Sequence, residues 1–116
     1  MKNERFNLAI KVKKFIFLID ELIINYPKRD YILKDRLLNA SYDLLKLIYR
    51  ANYSNDKESY KFDILTNISI IDFCIEISLY KKIIGEKKLN QVSNKLEEIT
   101  KMVYGWINES NTKWFN

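Results

Sequence analysis

With 116 residues, 47% of them apolar and 30% charged, the chain is sized for a single globular domain spanning 1–116. Twenty lysines and arginines against fifteen carboxylates leave a formal charge of +5, with no histidine and one cysteine. These counts exclude a disulfide scaffold and remove the commonest general base and metal ligand.

The elements follow in chain order from apolar spacing. Over about residues 4 to 25, Leu8, Val12, Phe15, Ile16, Ile19, Leu22, Ile23 and Tyr26 recur every three or four positions, which predicts a helix with one buried face. Lys11, Lys13, Lys14, Asp20 and Glu21 break its apolar run, so it is not expected to act as a secretory signal. Pro27 ends it and suits the first turn of the next. A second helix, about 28 to 53, carries Tyr31, Leu37, Leu38, Ser41, Leu44, Leu45 and Ile48 on its core face. The break at Tyr53-Ser54-Asn55-Asp56 is followed by Glu58, and Asn55 with Glu58 resembles a capping box.

The third helix, about 57 to 84, is apolar around much of its circumference, with Phe62, Ile64, Leu65, Ile68, Ile71, Phe73, Ile75, Leu79 and Ile83, and is expected to be buried from several sides. Its stretch from Ile64 to Leu79 contains Asp72 and Glu76, which argues against a membrane span. Cys74 lies among Ile70, Ile71, Phe73 and Ile75 and reads as a buried thiol, natural to a cytoplasmic protein. Gly85 is expected to take the left-handed conformation that stops the helix. In the fourth helix, about 87 to 109, Leu89, Val92, Leu96, Ile99, Val103 and Trp106 form a narrow seam. Four helices joined by short turns predict an all-α, antiparallel up-down-up-down bundle.

Catalytic chemistry has little to stand on. The chain lacks a phosphate-cradling glycine loop, a CxxC pair and the Glu-x-x-His elements of a di-iron bundle, so no cofactor and no metal are expected. Asp72 and Glu76, one turn apart, are two carboxylates where a selective cation site needs more ligands. They fit a subunit contact or a solvent-facing polar strip better.

The basic surplus is more informative. The second helix has Lys28, Arg29, Lys34, Arg36, Lys46 and Arg50 against Asp30, Asp35 and Asp43. Arg29, Arg36 and Arg50, three of the chain's four arginines, share a stripe expected to lie opposite the Leu37/Leu44/Ile48 face, with Asp43 interrupting it. Arginine's planar fork suits phosphate oxygens, so this row is a candidate nucleic-acid contact; the alternative is an ordinary solvated face with salt bridges. The topology gathers a second cluster at one end, Lys28, Arg29, Lys81, Lys82, Lys87 and Lys88, offset by Asp30 and Glu86. Repeated around a ring of subunits, such charges would add into a field that holds RNA or DNA without sequence preference.

Three stretches, YPKRDYILKDRL, LLKLIYRAN and LEEITKMVYGWINES, resemble the Avd-like family, the accessory variability determinants of diversity-generating retroelements. More distantly they resemble the four-helix-bundle proteins of ribosomal RNA intervening sequences. The family tends to end in an acidic residue and isoleucine, then glycine, tryptophan and isoleucine or leucine. Glu98, Ile99, Gly105, Trp106 and Ile107 occupy those places, while Tyr104 and Thr100 stand where further family glycines are common. The resemblance implies a homopentameric, positively charged barrel that binds a reverse transcriptase and nucleic acid during mutagenic retrohoming. The alternative is a structural oligomer or adaptor without nucleic-acid binding. Gly105 costs a helix roughly 1 kcal/mol relative to alanine. Either it lets another helix or subunit approach closely beside Trp106, or it marks a helix end.

Overall fold

The computed structural model describes the backbone of residues 3–115 and the side chains of residues 7–108. Among these residues are four α-helices, α1 (Asn3–Leu22), α2 (Tyr31–Tyr53), α3 (Lys61–Tyr80) and α4 (Glu86–Phe115). Each packs on its neighbour in sequence and α1 closes the bundle against α4, giving a rod of 51 × 23 × 19 Å. No strand occurs among the described residues. No helix there is long and apolar enough to cross a membrane.

The helices begin and end through tighter turns than apolar spacing reveals. Single turns of 3-10 helix occupy Ile23–Asn25, Lys28–Asp30 and Lys57–Tyr60. Tyr26 is extended, with ψ 137°, as the clash with the following proline ring requires. The expected cap at Asn55 falls one residue later. Asp56 accepts the amide of Ser59 at 3.3 Å, and Ser54 accepts the amide of Asp56 at 2.9 Å. The cap shifts because the helix opens with a 3-10 turn, which places Asp56 rather than Asn55 before the first orphan amides.

The stop after α3 also differs from expectation. Lys82, not Gly85, is left-handed, with φ 63°. The Ile83 amide donates to the Ser78 carbonyl at 2.9 Å and the Lys82 amide to the Leu79 carbonyl at 2.8 Å, the two bonds of a Schellman ending. Gly85 instead caps the start of α4, its carbonyl accepting from the Leu89 amide at 3.0 Å. A β-carbon crowds the left-handed conformation by about 1 kcal/mol. Lys82→Gly should therefore raise stability by roughly 0.5 to 1 kcal/mol, read as a higher urea midpoint at unchanged slope.

One continuous core fills the bundle. Leu8, Val12 and Ile19 of α1, Leu37, Leu44 and Ile48 of α2, Ile64, Ile71 and Ile75 of α3, and Val92, Ile99 and Val103 of α4 have at most 1% of their surface exposed. Each such side chain contributes about 1.5 to 3 kcal/mol of burial. Small polar residues are admitted where they satisfy themselves: Ser41 donates to the Leu37 carbonyl and Ser78 to the Cys74 carbonyl, both at 2.8 Å. Burial raises the Cys74 thiol above its ordinary value, with a smaller opposing pull from the Arg36 charge.

Two aromatic expectations fail in an instructive way. Tyr31 is 59% exposed rather than on the core face of α2. In α3, Phe62 and Phe73 are 73% and 56% exposed, because the three neighbouring elements cover only the Ile64/Ile71/Ile75 side. The helix is apolar on two faces, and the single chain buries one.

Candidate nucleic-acid interface

The first and third turns meet at one end of the rod, as the topology requires. Tyr26 donates to the Ser78 hydroxyl at 2.7 Å. Burial raises the Tyr26 phenol above its ordinary value, the Ser78 hydrogen bond opposes this, and Cys74 adds a smaller rise. Beside that contact Asp30, 6% exposed, accepts a charge-assisted hydrogen bond from Lys81 and lies 3.7 Å from the Arg29 Nε. One buried carboxylate thus engages two of the six cations assigned to this end.

Lys28, Lys82, Lys87 and Lys88 are exposed there. Lys88 lines a small groove with Leu18, Leu22 and Asn25 of the first helical segment, and Glu21 shares that groove. The turn end is therefore less basic than the sequence alone suggests. Glu21 joins Asp30 and Glu86 in offsetting it.

The arginine row occupies a flank, not the outer face. Arg36, Asp43 and Arg50 each directly precede a buried residue, Leu37, Leu44 and Ala51. At about 100° per residue, that puts the row roughly a quarter turn from the core. Arg36 lies close enough to Cys74 to act on its thiol, so this flank follows the junction of α2 with α3. Arg29, Arg36 and Arg50 are all exposed, and Arg29 has 85% of its side chain open.

The face that does point away from the core carries residues the charge reading passed over. Tyr31, Tyr42 and Tyr53 recur every eleven residues, three helical turns, and are 59%, 50% and 84% exposed. That spacing is readable in the sequence, but Tyr31 there looks like a core position. Lys46 stands four residues after Tyr42 on this face, with Arg50 bordering it on the α3 flank, and Lys13 of α1 sits 5.9 Å from the Tyr49 ring centroid. On the opposite side of α1, Lys11 pairs with Glu98 of α4 at 3.4 Å.

The outer face of α3 has the contrary character. Phe62, Thr66, Ser69, Phe73, Glu76 and Tyr80 alternate at four and three residues, a second seam directed to solvent. Within α3, Lys61 is outnumbered by Asp63, Asp72 and Glu76, and Asp72 and Glu76 are both exposed. Among the described residues no three metal-ligating side chains converge.

Gly105 lies inside α4, which continues to Phe115, so it does not mark a helix end. A β-carbon added there would meet nothing within 4 Å, so no helix of the same chain approaches it. Trp106 beside it is 4% exposed and packs in the core, with Lys57 6.0 Å from its ring centroid.

Compared with known proteins, residues 2–110 match a family model described as bAvd-like. No curated protein and no solved structure matches the chain.

Proposed function

Because the chain belongs to the bAvd-like family over residues 2–110, we propose that it is a non-enzymatic accessory protein of a diversity-generating retroelement. In this reading it works in the cytoplasm as a homopentamer that binds RNA or DNA and a reverse transcriptase during mutagenic retrohoming. Family membership is the observation that carries the proposal.

Charge and surface shape support the finer parts. Of the ten basic residues named from charge and spacing, Lys28, Arg29, Arg36, Lys46, Arg50, Lys81, Lys82, Lys87 and Lys88 are exposed and Lys34 is half-buried. The acidic, aromatic seam of α3 suits a basic face on a second copy. Joining unlike faces is a head-to-tail contact, and a closed ring is its soluble outcome. Assembly would also bring the modest charge of each chain into one field.

Titrating the protein with RNA at two salt concentrations tests the nucleic-acid claim. Replacing Arg29, Arg36 and Arg50 together by glutamine should weaken binding and lower the slope of log affinity against log salt by about one for each phosphate no longer neutralised. Stability should move by no more than about 0.5 kcal/mol, since all three are exposed. A wild-type protein that binds no nucleic acid even at low salt would turn the reading to a structural oligomer or protein adaptor.

A further inference from the structure

We propose that the outward face of the second half of α2, with Lys13 of α1 on one side of it and Arg50 of the α3 flank on the other, binds single-stranded nucleic acid by stacking bases on Tyr42 and Tyr53 while Lys13, Lys46 and Arg50 meet the phosphates. The inference rests on the nucleic-acid reading above and adds to it the strand type, the residues and the mode of contact.

The placement of five residues on one surface motivates it. Tyr42, Lys46, Tyr49 and Tyr53 follow one another along α2 at steps of three and four residues and share one side of it, with Arg50 bordering them on the α3 flank. Tyr53 is 84% exposed and Tyr42 50%. Tyrosines left open in a row, with cations between them, present flat apolar rings that any base can cover. Tyr49 is half-buried and has the Lys13 ammonium over its ring, which holds a cation from the neighbouring helix against the same surface.

Geometry fits a strand. Eleven residues of helix separate Tyr42 from Tyr53 by about 16 Å. A stacked strand advancing about 3.4 Å per nucleotide covers that distance in roughly five nucleotides, within the usual footprint of a non-specific single-strand site. A duplex keeps its base faces stacked inside and can use only the cations.

Charge selects this face over the other aromatic one. Around Tyr42 and Tyr53 the one carboxylate of α2 is Asp43, on the same flank as Arg50 and outnumbered by Lys13, Lys46 and Arg50, whereas Tyr31 at the far end of the row has Asp35 one turn away. The exposed Phe73 of α3 is flanked by Asp72 and Glu76, which repel phosphate. The α3 face therefore suits a protein, and the α1/α2 face suits a polyanion.

Fluorescence anisotropy with a labelled single-stranded oligouridylate of about twelve nucleotides, and with an RNA duplex of about the same number of phosphates, tests the proposal. The wild-type protein should prefer the single strand. Tyr42→Leu with Tyr53→Leu should lower single-strand affinity at least tenfold, leave duplex affinity and the salt slope unchanged, and be rescued by phenylalanine at both positions. Equal affinity for the two ligands, or an unchanged leucine double variant, overturns stacking while salt-dependent binding keeps the nucleic-acid reading. No binding by the wild-type protein at low salt overturns both. If the leucine pair instead lowers the assembled mass and leaves RNA affinity intact, the face is a contact between subunits and the proposal fails.

Discussion

Lys81→Met should lower the stability of the folded chain by about 2 to 3 kcal/mol, the largest effect expected of any exposed cation. The reason is Asp30, whose side chain is only 5% exposed. With Lys81 removed, its remaining cation is Arg29, whose Nε lies 3.7 Å away on a side chain that is 85% exposed and screened by water. Breaking a fully buried ion pair costs about 3 to 5 kcal/mol; the figure is reduced here because Lys81 is half-exposed and Arg29 stays. Asp30→Asn should cost less, about 1 kcal/mol, since Lys81 can return to water. The double variant should then be less destabilised than the sum of the two singles, because no buried charge is left alone. Additive losses in urea unfolding would show that the contact between the first and third turns holds through Tyr26 and Ser78 instead.

This latch also shows where sequence reasoning stops. The four helices are legible because burial forces three- and four-residue spacing on Leu8, Val12, Phe15 and Ile19, and on Val92, Leu96, Ile99 and Val103. The meeting of the first and third turns follows from topology, and Cys74 is buried as its apolar neighbours imply. What cannot be read is which charges neutralise one another. Lys81 and Asp30 are fifty-one positions apart, and only packing makes an exposed cation the partner of a buried carboxylate. Similarly, Lys82 ends α3 because the Schellman hydrogen bonds offset its strained conformation, a balance that residue type does not announce. The arginines are legible as a row. Their place beside α3 is not, since a helical projection gives angles but not which neighbour fills them. Lys13 joins the candidate surface only because α1 lies against Tyr49.

The other large effect concerns assembly. The wild-type protein should run in light scattering at a multiple of its 14.0 kDa chain mass, five in the proposed ring, and Phe62→Ser with Phe73→Ser should reduce it to the single chain. Both rings are mostly exposed in the isolated chain, so removing them leaves its core untouched and its stability within about 0.5 kcal/mol. At a subunit contact each buried aromatic is worth on the order of 2 kcal/mol. Losing both weakens every interface by roughly a thousandfold, enough to dissociate a micromolar assembly at micromolar concentration. Gly105→Leu separates two roles of the glycine by the same measurement. Within the chain a side chain there meets open space, so the variant should gain about 1 kcal/mol of helix propensity and keep its helical content. If a neighbouring subunit approaches that backbone, the leucine also breaks the ring, and mass falls while the chain becomes harder to unfold. An unchanged mass would leave Gly105 without a packing role on either side of the interface. A wild-type monomer at micromolar concentration would refute the ring and leave the α3 seam to a partner of another kind.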